Sequence, residues 1–236
     1  ASLPSPDISR AVVLGDMGLA GGRAVRQFVE TSTIGPSAAR ELAADLSAHH
    51  IGYVDAPVSG GPVAFENNSL TGIVSAAEAD FQAVEPALKV FCANIFRIGD
   101  QPGQAQACKL VNNAMSLSIL AIACEAAVFG VASGLDPHAM IDVVNKSSGR
   151  SAVTETKFLK HILKRRFDFG GALSTGAKDL ALFVAEARKI NSPAILAPVA
   201  GQIWRQAGVD SDPGRDVMEL IKWFEKPLGV VVGTPE

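Results

Sequence analysis

The sequence predicts an α/β region built on a doubly wound, largely parallel sheet, followed by an all-α region. Three observations carry this. Up to about residue 102, short strand-like runs alternate with helical patterns of 10 to 15 residues, the pattern of strands joined by crossover helices. Beyond it the pattern is helix after helix. Between the two lies the stretch Gln104 to Ser133, which has no proline and no internal stop, so one long helix is expected to join residues 1–102 to residues 103–236.

The elements follow in order. Ser5 before Pro6 predicts an N-cap with proline at the first helical position, and a helix to about Leu14. "QFVETST" reads as a short strand. Pro36 starts a helix to about residue 49, with apolar residues recurring at helical spacing, and "IGYVDAPV" is the next strand. After a glycine-rich turn, "LTGIVSA" is a strand, 79 to 91 a helix and "NIFRIG" a strand. The long helix would then run for ~45 Å at 1.5 Å per residue, ending at Gly134 as its C-terminal cap. Asp136 and Pro137 open another helix, and further ones are expected at about 153–165, 175–190, 193–207 and 213–225. No internal repeat or low-complexity linker interrupts them.

Composition narrows the function classes. The 236 residues are 48% hydrophobic with a net charge of −3, which describes a soluble globular protein of one or two domains. An acidic balance with 6% aromatics argues against a nucleic-acid partner, which calls for a basic face with interleaved aromatics. Cys92, Cys108 and Cys124 form an odd set without CxxC spacing, so reduced core thiols in a cytoplasm-like compartment are expected. His49 and His50 are adjacent and point to different sides of a helix end, so no metal site is expected. Gly, Pro or charge is read as breaking the apolar runs before ~18 residues, so no membrane partner is expected, and no signal peptide is visible.

Four local features could carry chemistry. In "DAPVSGG", residues 55 to 61, a strand ends in proline and then Ser-Gly-Gly; Ser59 with the amides of Gly60 and Gly61 could form an anion-binding nest for a carboxylate, or an ordinary turn. In "GQAQACKLVNNAM", Lys109 sits among small and apolar residues, with Asn113 one turn further on the same face. A buried lysine has its charged form disfavoured and becomes useful for acid/base work, whereas a snorkelling lysine reaches water past its stem. In "STGAKDLAL", Ser174 or Thr175 would cap a helix with Lys178 in its first turn, where a cation opposes the helix dipole; Asp179 suits that end and offsets the cost, and Lys178 calls for an external anion or carbonyl as its partner, or is a solvated lysine. The run "KFLKHILKRRF", with Lys157, Lys160, His161 and Lys164 at helical spacing, reads as a solvated helix face.

Taken together, "SLPSP" at 2–6, "STIGP" at 32–36, "DAPVSGG" at 55–61, "GQAQACKLVNN" at 103–113 and "KDL" at 178–180 occur in one order and at one spacing that resembles the β-hydroxyacid dehydrogenase family. The family includes 3-hydroxyisobutyrate dehydrogenase and tartronate semialdehyde reductase, and the similarity spans nearly the whole chain.

The resemblance implies a Rossmann-type dinucleotide domain, of which residues 1–102 are the C-terminal part, and an all-α substrate and oligomerisation domain over 103–236. It implies hydride transfer between NAD or NADP and a small β-hydroxy acid or its semialdehyde. By position it makes Lys109 the catalytic acid/base and Asn113 a substrate partner, with Ser59, Gly60 and Gly61 holding the substrate carboxylate. Leu3, Pro4 and Thr33 would line the dinucleotide, and Lys178 would approach its nicotinamide end. A homodimer or homotetramer is expected from the long helix and the number of apolar helical faces.

The family's chains open with a strand and a G-x-G-x-x-G turn that meets the pyrophosphate, and the sequence contains no such turn, since "GDMGLAGG" at 15–22 follows a helix. The expectation is that ~60 to 70 residues, about half of a dinucleotide-binding fold, stand before Ala1 in such enzymes. Two other readings stay open: a catalytically silent remnant acting as a binding or oligomerisation module, and a 6-phosphogluconate dehydrogenase-like enzyme.

Overall fold

In the computed structural model, which describes residues 1–234, the chain divides into two compact units. The first is Ala1–Asn112 with Ala185–Ser192, and the second Asn113–Val184 with Pro193–Glu236.

The first unit is built on five strands: β1 (Gln27–Glu30), β2 (Gly52–Asp55), β3 (Val58–Ser59), β4 (Leu70–Ser75) and β5 (Cys92–Gly99). Its helices are α1 (Pro6–Leu14), α2 (Pro36–Ala48), the short α3 (Gly61–Glu66) and α4 (Glu78–Leu88). β1 pairs with β2 and β4 with β5 in parallel, whereas β4 runs antiparallel to both β2 and β3. The expected largely parallel sheet is thus mixed. The reason lies in the link from Ser59 to Leu70, where α3 has six residues and rises only ~9 Å, too little to carry the chain back along the sheet for a parallel return.

The alternation of side chains divides the core between the two faces of the sheet. Phe28 and Tyr53 pack with Ile34, Ala39, Leu42 and Leu46 of the α2 side, while Val54 and Val74 pack with Val84 and Leu88 of α4. Ser5 caps α1 by accepting from the Ile8 N–H at 3.3 Å. Ala1 lies alongside β1, its amino group donating to the Val29 carbonyl at 2.6 Å and its carbonyl accepting from the Thr31 N–H at 2.9 Å.

The second unit is helical. It takes most of α5 (Gln104–Ala132), then α6 (Pro137–Asn145), a π-helical segment (Val153–Ile162), α7 (Leu173–Lys189), α8 (Leu196–Asp210) and α9 (Leu220–Glu225). α5 closes as expected at Gly134 (φ 89°), where the Gly134 and Leu135 N–H groups donate to the Val131 and Gly130 carbonyls, each at 3.0 Å. Leu120, Cys124 and Val128 of α5 pack with Phe158, Leu180, Trp204 and Leu220 in one core, and the Trp204 indole N–H donates to the Leu117 carbonyl at 3.2 Å.

Three details differ from the sequence reading. α7 starts at Leu173, because the Leu173 and Ser174 N–H groups donate to the Arg215 and Pro213 carbonyls at 2.8 and 3.0 Å; Lys178 therefore lies in the second turn, outside the zone where the helix dipole opposes it. The basic run does not lie on one solvated face. Its first part winds as a π-helix, Arg165 forms an ion pair with the buried Glu225, and Lys157 is only half exposed. Lastly, α5 contains an 18-residue window of mean hydropathy 2.0, long and apolar enough to cross a bilayer, although 39% of that window is buried within the fold.

Candidate active site

In the first unit, a buried amide ties the first turn of α5 to the carboxyl ends of the strands. Gln106 is wholly buried, its Nε2 donating to Asp55 Oδ1 at 2.8 Å and to the Ser32 carbonyl at 2.9 Å. Its Oε1 accepts from the Ile34 and Gly35 N–H groups at 2.9 and 3.1 Å. Asp55 Oδ2 in turn accepts from the Gly103 and Gln106 N–H groups at 3.0 and 3.2 Å, and from the Ser75 hydroxyl at 3.4 Å. Burial pushes the Asp55 carboxyl up to about 6, against the pull of these hydrogen bonds.

Lys109 follows Gln106 by three residues on α5 and is 8% exposed. It is flanked by the buried Ala105 and Leu110. An amine held almost out of water on a pinned helix is a group suited to passing one proton to and from a bound hydroxyl or carbonyl.

Ser59, Gly60 and Gly61 form one corner where β3 turns into α3. Gly60 (φ 137°) and Gly61 (φ 73°) both take positive φ, which side-chain-bearing residues rarely adopt. A Cβ on Gly60 would also stand 2.5 Å from the Ala64 Cβ. No side chain caps α3, whose start at Gly60–Val63 is an exposed corner beside the half-buried Ser59. Just past the carboxyl end of β1, the Leu3 N–H donates to the Ser32 hydroxyl at 2.6 Å, which sets Leu3 beside the residue that precedes Thr33.

In the second unit, Asp179 brings Asn113 and Lys178 together. It is 5% exposed; its Oδ2 accepts from Asn113 Nδ2 at 2.6 Å, and its Oδ1 lies 3.1 Å from Lys178 Nζ in an ion pair. The sequence reading looked outside the chain for a partner of Lys178, whereas the carboxylate beside it is that of its own neighbour in sequence. Of the expected site residues, Lys109, Leu3, Pro4, Thr33 and the Ser59–Gly61 corner belong to the first unit, and Asn113 and Lys178 to the second.

The sequence reading assigned no role to Gln106 or Asp55, and read Asp179 only as an acid suited to the start of a helix that offsets the cost of Lys178. A signal for each was present: polar residues in runs of small and apolar ones, beside the very residues singled out for chemistry.

The chain is similar to known proteins over most of its length. The family model for NAD-binding of NADP-dependent 3-hydroxyisobutyrate dehydrogenase matches residues 103–224, and that for the NAD binding domain of 6-phosphogluconate dehydrogenase matches residues 1–99. The 2-(hydroxymethyl)glutarate dehydrogenase of Eubacterium barkeri is 37% identical over 98% of this chain and 77% of its own length. Among solved structures, a 3-hydroxyisobutyrate dehydrogenase from Salmonella typhimurium superposes with a TM-score of 0.82 at 28% identity, covering 93% of this chain and 76% of that one. Psf3, solved in complex with NADP+ and 2-OPP, gives a TM-score of 0.81 at 28% identity over 92% of this chain and 76% of that one.

Proposed function

Since this chain belongs to the β-hydroxyacid dehydrogenase family and is an NAD(P)-dependent oxidoreductase of that type, we propose that Lys109 is its catalytic acid/base and that its substrate is a small β-hydroxy acid. The observation that carries this is the near-complete burial of Lys109 one turn beyond the Gln106–Asp55 anchor. In oxidation, Lys109 Nζ takes the proton of the substrate hydroxyl; in reduction it returns a proton to the carbonyl oxygen. Ser59 and the amides of Gly60 and Gly61 hold the substrate carboxylate, as an anion meets an exposed turn that no side chain caps. Asn113, oriented by Asp179, hydrogen-bonds the substrate.

The nicotinamide cofactor, when bound, accepts or donates the hydride. The residues present fit it: Leu3 is bonded to Ser32 just past the carboxyl end of the parallel strand β1, where open α/β sheets take dinucleotides, and Leu3, Pro4 and Thr33 are the residues proposed to line it. Lys178 is the residue proposed for the nicotinamide end. For the substrate, the family members compared above turn over 3-hydroxyisobutyrate and 2-(hydroxymethyl)glutarate by their names, and these two are the first to test. An assay of both acids against NAD and NADP, read by absorbance of the reduced cofactor, tests the reading; no turnover of any short β-hydroxy acid with either cofactor rejects it.

A second copy of the chain is proposed to cover α5. Met115, Ile122 and Phe129, spaced by seven residues along one stripe of α5, are all more than half exposed. A monomeric mass in solution at micromolar concentration rejects this.

A further inference from the structure

Several cations of the second unit hold carboxylates. Arg165 pairs with Glu225, and Arg215 and Lys222 share Glu219. Lys157 is half buried, yet its ammonium donates to a neutral hydroxyl, Ser116 Oγ at 3.2 Å, and lies over the Phe169 ring at 4.8 Å from the centroid. Among the described residues no carboxylate pairs with it. The nearest acid in sequence, Asp168, is engaged by His161 Nδ1 at 2.5 Å, and the His161 ring meets Phe169 edge-on at 5.7 Å. Burial alone pushes the Lys157 ammonium down from its ordinary range. A cation partly withdrawn from water without a counter-charge is costly unless an anion arrives to join it.

Its position says which anion. Ser116 is three residues beyond Asn113 on α5, about 4.5 Å along the axis, and such pairs are neighbours on a helix surface. The route from Asn113 to Lys157 thus passes along one face of α5 within the second unit. We propose that Lys157 and Ser116 form a second carboxylate subsite, so that the enzyme selects β-hydroxy acids carrying a further carboxylate two or three carbons from the reacting centre. The proposal rests on the assignment of Asn113 to the substrate. Ser116 would orient the ammonium and Phe169 would exclude water from one side of it, which strengthens a charge-assisted hydrogen bond to the incoming carboxylate.

The test compares KM for the β-hydroxy diacid 2-(hydroxymethyl)glutarate with KM for the monoacid 3-hydroxyisobutyrate, in the wild-type chain and in Lys157→Met and Lys157→Arg. Wild type should favour the diacid, and Lys157→Met should shrink that preference by about tenfold to a hundredfold, with Lys157→Arg recovering much of it. A wild type without preference for the diacid, or a preference unchanged in Lys157→Met, overturns the proposal. Should Lys157→Met not fold, Ser116→Ala takes its place, with a smaller loss of preference expected and an unchanged preference again overturning the subsite. If the wild type oxidises neither acid, the subsite is judged alone by calorimetry with glutarate and butyrate, and the functional reading fails only if no other short β-hydroxy acid is turned over either. Glutarate binding that Lys157→Met abolishes upholds it, and equal binding of the two acids, or of neither, removes it.

Discussion

Gln106 Nε2 donates to Asp55 Oδ1 at 2.8 Å where neither side chain is exposed, so the anchor of the first turn of α5 is a carboxylate–amide contact inside the protein. Both ends of the amide are committed, Oε1 to the Ile34 and Gly35 N–H groups, so it cannot turn over without abandoning two donors. Asp55→Asn puts an NH2 group against a donor on either side, against Gln106 Nε2 in one orientation and against the Gly103 and Gln106 N–H groups in the other. A loss of about 1 to 3 kcal/mol is expected, the cost of a buried donor left without an acceptor. Urea denaturation of wild type and variant measures it, and equal midpoints would rule out the anchoring role.

The same carboxyl makes stability depend on pH. Its folded value of about 6 stands above the ordinary 3.8, so the folded protein holds a proton that the unfolded chain has released. The stabilisation is fully present below pH 3.8 and is lost as pH rises through about 6, a change on the order of 3 kcal/mol across that window. Wild-type stability minus that of Asp55→Asn should therefore decline between about pH 4 and 6 and level off above. A difference that rises with pH would mean that the hydrogen bonds outweigh desolvation.

How far the sequence could be read follows the range of the interactions involved. Helix ends set by local chemistry were legible: Ser5–Pro6 starts α1, Asp136–Pro137 starts α6 and Gly134 ends α5. The start of α7 was not, because carbonyls some forty residues later satisfy its first N–H groups. The antiparallel β4 was hidden for a similar reason, since strand direction depends on how far a six-residue helix carries the chain. Lys109 and Asn113 could be found from spacing on one helix. Asp55 and Gln106 meet across 51 residues, and Asn113 and Asp179 across 66, and no local pattern announces such pairs.

Lys109→Ala should reduce turnover of the preferred hydroxy acid by at least ~100-fold, the usual scale of a general acid/base contribution. Because Lys109 is 8% exposed, Lys109→Met is the better probe of chemistry alone, as it keeps most of the volume. Circular dichroism confirms the fold of each variant before kinetics are read. Turnover within a fewfold of wild type in a folded Lys109→Met would remove the lysine from the mechanism.

Gly60→Ala introduces a Cβ 2.5 Å from that of Ala64 at a φ of 137°, so the corner must move. Strain of this kind costs about 1 to 3 kcal/mol. If the corner holds the substrate carboxylate, KM for the hydroxy acid should rise more than KM for the cofactor, and Ser59→Ala should show the same split with a smaller loss of stability. Equal effects on both constants would leave the corner a purely structural turn.

Asp179 is predicted to act as a positioning residue through Asn113. Asp179→Ala removes the acceptor that holds the Asn113 amide at 2.6 Å and takes away the carboxylate 3.1 Å from Lys178 Nζ, so KM for the hydroxy acid should rise by about tenfold. Asp179→Asn keeps an oxygen for Asn113 but no charge for Lys178, which separates the two tasks. If orientation of Asn113 is what matters, Asp179→Asn should recover most of the lost affinity for the hydroxy acid. If the charge beside Lys178 is what matters, the two variants should be alike and the larger change should fall on the cofactor constant. A KM for the hydroxy acid unchanged in a folded Asp179→Ala would mean that Asn113 reaches its working orientation without this carboxylate.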